Sequence, residues 1–192
     1  HTEKPTQARV DRLILVAAGA WGHGGTLNPM PFISEVRSFF KKTILLSGCI
    51  SSGRDIASAI QMGADLAYLG TRFINTTESK AGEEYKEMIV NSKAGDIVYT
   101  AAVSGVNANF LRPSLESMGI TEDMWGNSKK IDFGEELDAA QAEAKAWKTI
   151  WSAGQGVTSI EDCPSTKELI ENLKKEFIES IKAQSEVLKK FL

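Results

Sequence analysis

The sequence predicts an α/β fold with a parallel sheet, and three features of its first hundred residues support that prediction. Apolar runs of strand length alternate with segments of helical periodicity, which is the order of repeated strand–helix units. The runs are continuously apolar rather than alternating, as expected for strands that are covered on both faces. Each run ends near glycines, at the position where parallel α/β proteins bind their ligands.

The first strand–helix unit follows a polar segment, residues 1–11, which we interpret as a linker or a cut end. Because the chain opens with His1 rather than Met, we expect it to begin inside a longer protein. Residues 12–18 are the first predicted strand and lead into the glycine-rich loop 19–25. A helix is predicted over 31–41, with an apolar face made of Phe32, Val36, Phe39 and Phe40.

The second and third units follow directly. The predicted strand 43–47 precedes a helix over 53–62, and Ser52 and Asp55 have the spacing of a capping box at its start. The next strand is predicted over 65–69. Units of this length are joined by right-handed crossovers, so the three strands are expected to be parallel.

The regular pattern weakens after Thr71. We predict a helix over 80–92, an extended segment over 96–100, a short helix near 113–118, an Ala-rich helix over 136–151, and a last helix that Ser165 and Glu168 begin as a capping box. That last helix is expected to pack on the domain through Leu169, Leu173, Phe177, Ile181 and Leu188. The predicted segments are thus strand–helix units over 12–100, an insertion or lid over 101–152, and a loop and helix over 153–192.

Composition excludes several classes of partner. The chain has 192 residues and a net charge of −3, with no basic run that carries aromatic residues, so nucleic acid and anionic membranes are not expected partners. No apolar stretch reaches the roughly 18 residues that span a bilayer. The two cysteines, Cys49 and Cys163, have no metal-site spacing and fit a reducing, cytoplasmic setting.

Two glycine turns at consecutive strand ends predict a phosphate site. Gly48 and Gly53 let the backbone approach a ligand, and the helix that begins at Gly53 is expected to present free N–H groups to an anion. Gly70 ends the next strand, and the Thr71 hydroxyl adds a donor. One such glycine alone is better explained by a tight turn, but two adjacent turns favour a ligand.

Four further side chains near these turns have two interpretations each. His23 lies in the loop after the first strand, as a general base or as an exposed loop histidine. Trp21 stacks on a flat ligand or packs on a neighbouring loop. Arg72, like Arg54, neutralises a phosphate or forms an ion pair.

These motifs resemble the nitronate monooxygenase family, formerly called 2-nitropropane dioxygenases. The resemblance is carried by Ala-Trp-Gly-His-Gly-Gly (20–25), Ser-Gly-Cys-Ile-Ser-Ser-Gly-Arg-Asp (47–55), Met-Gly-Ala-Asp-Leu-Ala-Tyr-Leu-Gly-Thr-Arg-Phe (62–73) and Ala-Gly-Gln-Gly (153–156). It covers roughly residues 10–180. FMN-dependent enoyl-ACP reductases share much of the pattern.

The resemblance implies an FMN-binding (β/α)8 barrel that oxidises nitronates or nitroalkanes with O2 to a carbonyl compound and nitrite. The family's catalytic histidine falls on His23, and its cofactor-binding residues fall on Gly22, Gly48, Cys49, Tyr68, Leu69, Gly70 and Thr71. No metal is implied. Trp21 and Cys49 stand where the family usually has glycine, and an apolar residue near Val16 stands where it often has glutamine.

The length of the chain predicts an incomplete barrel. A full barrel of this type takes about 250 residues, whereas only three barrel strands are visible, which the resemblance places sixth to eighth. We therefore expect a partial (β/α)8 TIM barrel, its last three units, with two open sheet edges, one uncovered apolar face and a missing N-terminal half. Two alternatives stay open: an NAD(P)H-dependent enoyl-ACP reductase and a non-catalytic module that binds a phosphorylated ligand.

Overall fold

The computed structural model describes residues 10–103, 105–126 and 150–192. The helix predicted over 136–151 lies outside these residues except for Ile150 and Trp151, which are not helical.

Three parallel strands form the sheet that the sequence predicts. They are β1 (Arg12–Val16), β2 (Thr43–Ser47) and β3 (Leu66–Tyr68), in the order β1-β2-β3. The pairing is in register, so that Ile14, Leu45 and Leu66 form one row across the sheet. The prediction of three parallel strands is therefore confirmed.

The helices of the first two units are α1 (Pro29–Phe39) and α2 (Gly53–Gln61). The side chain of Asn28 caps α1 by accepting a hydrogen bond of 3.0 Å from Met30 N–H. The predicted capping box of Ser52 and Asp55 begins α2. Of the predicted apolar face, Val36 and Phe40 are buried, but the prediction is wrong for Phe39, the last residue of α1, which is exposed.

Both helices pack on the same face of the sheet. Leu15, Ile44 and Leu46 point to that face and share one core with Ile33 of α1 and Ala59 of α2. Successive crossovers on one face are the arrangement of a barrel, whereas a doubly wound sheet carries helices on both faces. The fold is thus a TIM-barrel-like α/β fold.

The opposite face of the sheet is uncovered. Ile14 and Leu66, which flank Leu45 in one row, are 52% and 53% exposed, and Val16 and Tyr68 are also exposed. The predicted uncovered apolar face is therefore confirmed for the described residues.

A smaller antiparallel hairpin follows the sheet. The elements in between and after it are α3 (Thr71–Ile74), α4 (Glu83–Asn91), β4 (Ile97–Thr100), β5 (Ala108–Leu111), α5 (Arg112–Ser117) and α6 (Glu122–Trp125). The strand β5 was not predicted from the sequence. All four of its residues are buried, so it shows no alternation of polar and apolar positions.

The chain ends in the long helix α7 (Thr166–Leu188), which Ser165 and Glu168 begin with the predicted capping box. Leu169 and Leu173 are buried, but Ile181 and Leu188 are exposed, so the prediction that the whole apolar stripe packs on the domain is wrong. The main partner of α7 is α2, whose nine residues span about 13 Å, while α7 spans about 34 Å. In the described residues, no helix combines the length and apolarity needed to cross a membrane.

Candidate functional site

A small cavity lies at the carboxyl ends of the three parallel strands. It encloses about 60 Å³. Its lining consists of residues 19–21 after β1, residues 47–51 at the end of β2, Tyr68, Gly70 and Thr71 at the end of β3, and Gly154 and Gly156. Ligand pockets for whole small molecules enclose about 300–1,000 Å³, so this cavity has the size of one small group.

Backbone donors dominate the cavity wall. Among the described residues, none of the charged side chains lines the cavity. The lining N–H groups without a hydrogen-bond partner in the described parts of the chain include those of Gly48, Cys49, Ile50 and Gly70. The Thr71 hydroxyl accepts a hydrogen bond from Gly154 N–H at 2.9 Å and keeps its own proton for another acceptor. A wall of neutral donors is suited to an anion.

The start of helix α2 does not supply the free N–H groups that the sequence analysis predicted there. The Asp55 carboxylate accepts from the N–H groups of Ser51 and Ser52 at 2.9 Å each. Glu176 of α7 accepts from Gly53 N–H at 2.6 Å. The prediction of an anion at these groups is therefore wrong, because two carboxylates of the chain already occupy them.

Gly53 serves helix packing rather than a ligand. A Cβ atom at Gly53 would lie 2.2 Å from the carbonyl oxygen of Leu173 and 2.4 Å from the nitrogen of Phe177. Gly53 is therefore the point where α2 and α7 touch backbone to backbone, and its predicted approach to a ligand is not observed.

Cys49 adopts the left-handed backbone conformation, with φ at +59°. A residue with a side chain normally keeps φ negative, so this conformation is unusual for a cysteine. Left-handed backbone costs a non-glycine residue about 1–2 kcal/mol. The thiol donates weakly to Ala18 O at 3.4 Å, and its partial burial, followed by the charge of Asp55, raises the pKa of Cys49.

Arg72 forms an ion pair and is not aimed at the cavity. Its buried guanidinium donates to the Asp162 carboxylate at 2.5 Å and to the Asp162 carbonyl at 3.2 Å. Arg54 is exposed on α2. For Arg72 the structure therefore favours the ion-pair interpretation over neutralisation of a phosphate.

The loop that carries His23 is fixed by residues far along the chain. Gly22 N–H donates to the Ser152 hydroxyl at 3.1 Å, and the Gly22 carbonyl accepts from Asn109 N–H at 2.9 Å. The Asn109 side chain donates to Ala20 O at 2.7 Å. The hairpin strand β5 and Ser152 thus hold the loop from both sides, while the His23 side chain is exposed.

Trp21 belongs to the same network. Its indole N–H donates to the Ser152 carbonyl, which also accepts from the phenol of Tyr85. Tyr85 stacks on Trp151 at 5.1 Å, and burial raises the pKa of Tyr85 to about 12. Trp21 lies over Gly70 and stays 53% exposed, so it packs on a neighbouring loop, the second of its two predicted roles.

The structure brings together most of the residues predicted to bind a cofactor. Five of them line the cavity: Gly48, Cys49, Tyr68, Gly70 and Thr71. Three predicted site residues are not among the lining residues: Gly22, His23 and Leu69. Leu69 packs instead against the core beneath the sheet.

Sequence reasoning missed two residues of this region. Ser152 joins the histidine loop to the hairpin, and the buried Ser51 hydroxyl has no partner in the described residues. Ser152 stands directly before the glycine loop 153–156, which is the one sequence signal that points to it.

A parallel sheet with its helices on one face, and a donor-lined cavity at the strand ends, define a TIM-barrel-like α/β protein with a candidate anion site. The family model described as nitronate monooxygenase matches residues 3–176. The chain belongs to the nitronate monooxygenase family, as its motifs indicated.

Named relatives agree with this family. A nitronate monooxygenase of Paraburkholderia phytofirmans is 30% identical over 189 residues, covering 91% of this chain and 51% of the relative. The solved structure of FabK from Thermotoga maritima matches with a TM-score of 0.76 and 26% identity, over 100% of this chain and 60% of that one. The solved structure of a nitroalkane oxidase from Streptomyces ansochromogenes matches with a TM-score of 0.72 and 25% identity. The match covers 95% of this chain and 56% of the oxidase. The chain spans about half the length of the curated relatives it matches.

Proposed function

We propose that this chain is the C-terminal part of an FMN-dependent nitronate monooxygenase. The reaction converts alkyl nitronates or nitroalkanes and O2 to a carbonyl compound and nitrite. The observation that carries the proposal is the donor-lined cavity at the ends of β2 and β3, in a chain of this family.

The cavity fits the phosphate end of FMN. Its size of about 60 Å³ suits a phosphate, so the ribityl chain and the flavin ring would extend beyond it. The N–H groups of Gly48, Cys49 and Gly70 and the Thr71 hydroxyl would hold the phosphate oxygens. Glycine at 154 and 156 keeps the opposite wall free of side chains.

His23 is the proposed base for neutral nitroalkanes. When bound, FMN supplies the redox chemistry that couples nitronate oxidation to O2. An imidazole nitrogen of His23 accepts the proton from the carbon that bears the nitro group, which a preformed nitronate has already lost. The hydrogen bonds of Gly22 to Ser152 and Asn109 hold the loop in one conformation, which orients the imidazole.

The proposal assigns the described strands to the last three units of a (β/α)8 barrel. In this arrangement residues 12–100 are barrel units, 101–152 are an insertion and 153–192 are a closing loop and helix. Strands of an N-terminal half would pair with the open edges of β1 and β3 and cover Ile14, Leu66 and Tyr68. The two free cysteines fit a cytoplasmic, reducing setting.

Flavin binding and product formation test the proposal. The full-length protein that contains this chain is purified, loaded with FMN and given an alkyl nitronate, while O2 uptake and nitrite are measured. We expect bound flavin absorbance in the visible range, O2 consumption and nitrite release. A colourless protein that takes up no FMN would support the non-catalytic module instead. Rapid anaerobic reduction of the flavin by NADPH, without nitrite release, would support the enoyl-ACP reductase.

A further inference from the structure

The hydroxyl of Ser51 is buried without a hydrogen-bond partner. Ser51 is 3% exposed, and its Oγ makes no hydrogen bond in the described residues. Its backbone is fixed, because its N–H donates to the Asp55 carboxylate at 2.9 Å. A buried hydroxyl without a partner is uncommon, since nearly all such groups are hydrogen-bonded in folded proteins.

The Ser51 hydroxyl faces the candidate phosphate cavity. Ser51 lines this cavity and also a second polar cavity beside Glu176. A Cβ atom on Gly156 would come within 2.3 Å of Ser51 Oγ, and Gly156 lines only the first of the two. The Ser51 oxygen therefore faces the wall that Gly156 forms in the candidate phosphate cavity.

A phosphate in this cavity would depend on neutral donors. None of the charged side chains in the described residues lines the cavity, and Asp55 and Glu176 occupy the N–H groups at the start of α2. Each remaining donor therefore matters more to the affinity than it would beside an arginine or a lysine.

We propose that the Ser51 hydroxyl is a further ligand of the cofactor phosphate and donates a hydrogen bond to one of its oxygens. The proposal rests on the proposed function, because it takes FMN to be the ligand. It adds a side-chain donor to the backbone donors of Gly48, Cys49 and Gly70. It also explains why position 156 carries no side chain, since an alanine there would displace the hydroxyl.

Paired titrations with FMN and riboflavin test the proposal, because riboflavin lacks the phosphate. Kd values for both are measured by flavin fluorescence in the full-length wild-type protein and in Ser51→Ala. We expect Ser51→Ala to raise the Kd for FMN about tenfold or more, as for a lost hydrogen bond to a charged group. The Kd for riboflavin should stay within about twofold. An unchanged Kd for FMN, or an equal loss for both flavins, would overturn the role of Ser51.

Two further variants separate the hydroxyl from packing. The Ser51→Cys side chain is nearly the same size as serine but is a poor hydrogen-bond donor. It should raise the Kd for FMN as Ser51→Ala does, and it provides the same test if Ser51→Ala does not fold. Ser52→Ala removes the cap of α2 and should lower stability while leaving the ratio of the two Kd values unchanged. If the wild-type protein itself does not prefer FMN over riboflavin, the proposed phosphate site fails, and this result is distinct from a failure of Ser51 alone.

Discussion

The indole N–H of Trp21 donates a 2.9 Å hydrogen bond to the carbonyl of Ser152, 131 residues further along the chain. The hydroxyl of the same serine accepts from Gly22 N–H and donates to the carbonyl of Asn109. One buried residue thus ties the loop of His23 to the hairpin. The geometry of that loop depends on a segment that the βα units do not contain.

Replacing Ser152 by alanine should therefore destabilise the protein. The variant leaves Gly22 N–H without its acceptor in a buried position and removes the donor to Asn109 O, which costs about 2 kcal/mol. The free energy of unfolding, measured in urea, checks this expectation. The matched control is Ser38→Ala, an exposed serine whose hydroxyl bonds within its own helix, which should change stability by less than about 0.5 kcal/mol. Equal effects at both sites would contradict the role of Ser152.

The contact between α2 and α7 predicts a strong effect of one methyl group. Gly53→Ala places a Cβ atom 2.2 Å from the carbonyl oxygen of Leu173, so α7 must move, at a cost of about 2–3 kcal/mol. Gly95→Ala is the control, because Gly95 lies inside a 3₁₀ turn without a positive φ and no atom lies within 4 Å of the new Cβ. The control should keep or slightly raise stability. Chemical denaturation measures the free energy of unfolding of both variants. If Gly53→Ala is as stable as the wild type, α2 and α7 do not approach each other this closely.

Local signals in the sequence were sufficient to predict the parallel sheet and the helices that pack on it. The Ser52–Asp55 pair, the Ser165–Glu168 pair and the continuous apolar runs act within a few residues, so they can be recognised without the fold. Prediction from the sequence failed where residues distant in the chain determine the local structure. The hydrogen bond from Gly53 N–H to Glu176 joins positions 123 residues apart and removes an anion site that local reasoning predicted.

The candidate site was predictable in part for the same reason. Gly48, Gly70 and Thr71 line the cavity because strand ends of a parallel sheet converge at one edge. The left-handed backbone of Cys49 was not predictable, since the cysteine side chain disfavours it and only the turn geometry imposes it. Ser152 was missed because its importance lies in hydrogen bonds to loops far away in the chain.

Cys49→Gly should stabilise the protein by about 0.5–1 kcal/mol. Glycine removes the cost of a positive φ, about 1–2 kcal/mol, but adds entropy to the unfolded chain. Cys49→Val should instead destabilise it, because a branched side chain tolerates this backbone least. Urea denaturation of the two variants measures the difference, with Cys163→Ala as the control for loss of a thiol. The opposite order of stability would contradict the left-handed conformation.

The contacts of the Asp65 carboxylate should make the stability of the protein depend on pH. Its carboxylate accepts a 2.8 Å hydrogen bond from Ile44 N–H and pairs with Arg37, and in that order these contacts lower the pKa of Asp65 below its ordinary value of 3.8. The unfolded chain then binds a proton more readily than the folded protein. The contribution of Asp65 is therefore complete above pH 3.8 and is lost as the pH falls through the lowered pKa.

Asp65→Asn should flatten this acid dependence. Thermal melts between about pH 2.5 and pH 7 measure it, with Glu35→Gln, an exposed carboxyl on α1, as the control that keeps the wild-type profile. An Asp65→Asn protein that loses stability in acid as steeply as the wild type would assign the acid dependence to other carboxyls.

His23→Asn tests the proposed base through a comparison of two substrates. A neutral nitroalkane must lose a proton from the carbon that bears the nitro group, whereas a preformed nitronate has lost it already. Removal of a general base typically costs about 10²–10⁴-fold in rate, so kcat/KM for the nitroalkane should fall by that factor. The nitronate rate should change by less than about tenfold, because asparagine keeps a polar side chain in the same loop. Since the loop is held through the backbone of Gly22, the substitution should leave its hydrogen bonds to Ser152 and Asn109 intact, and unchanged thermal stability checks this. Equal losses on both substrates would remove the base role from His23 and would leave it a binding residue at most.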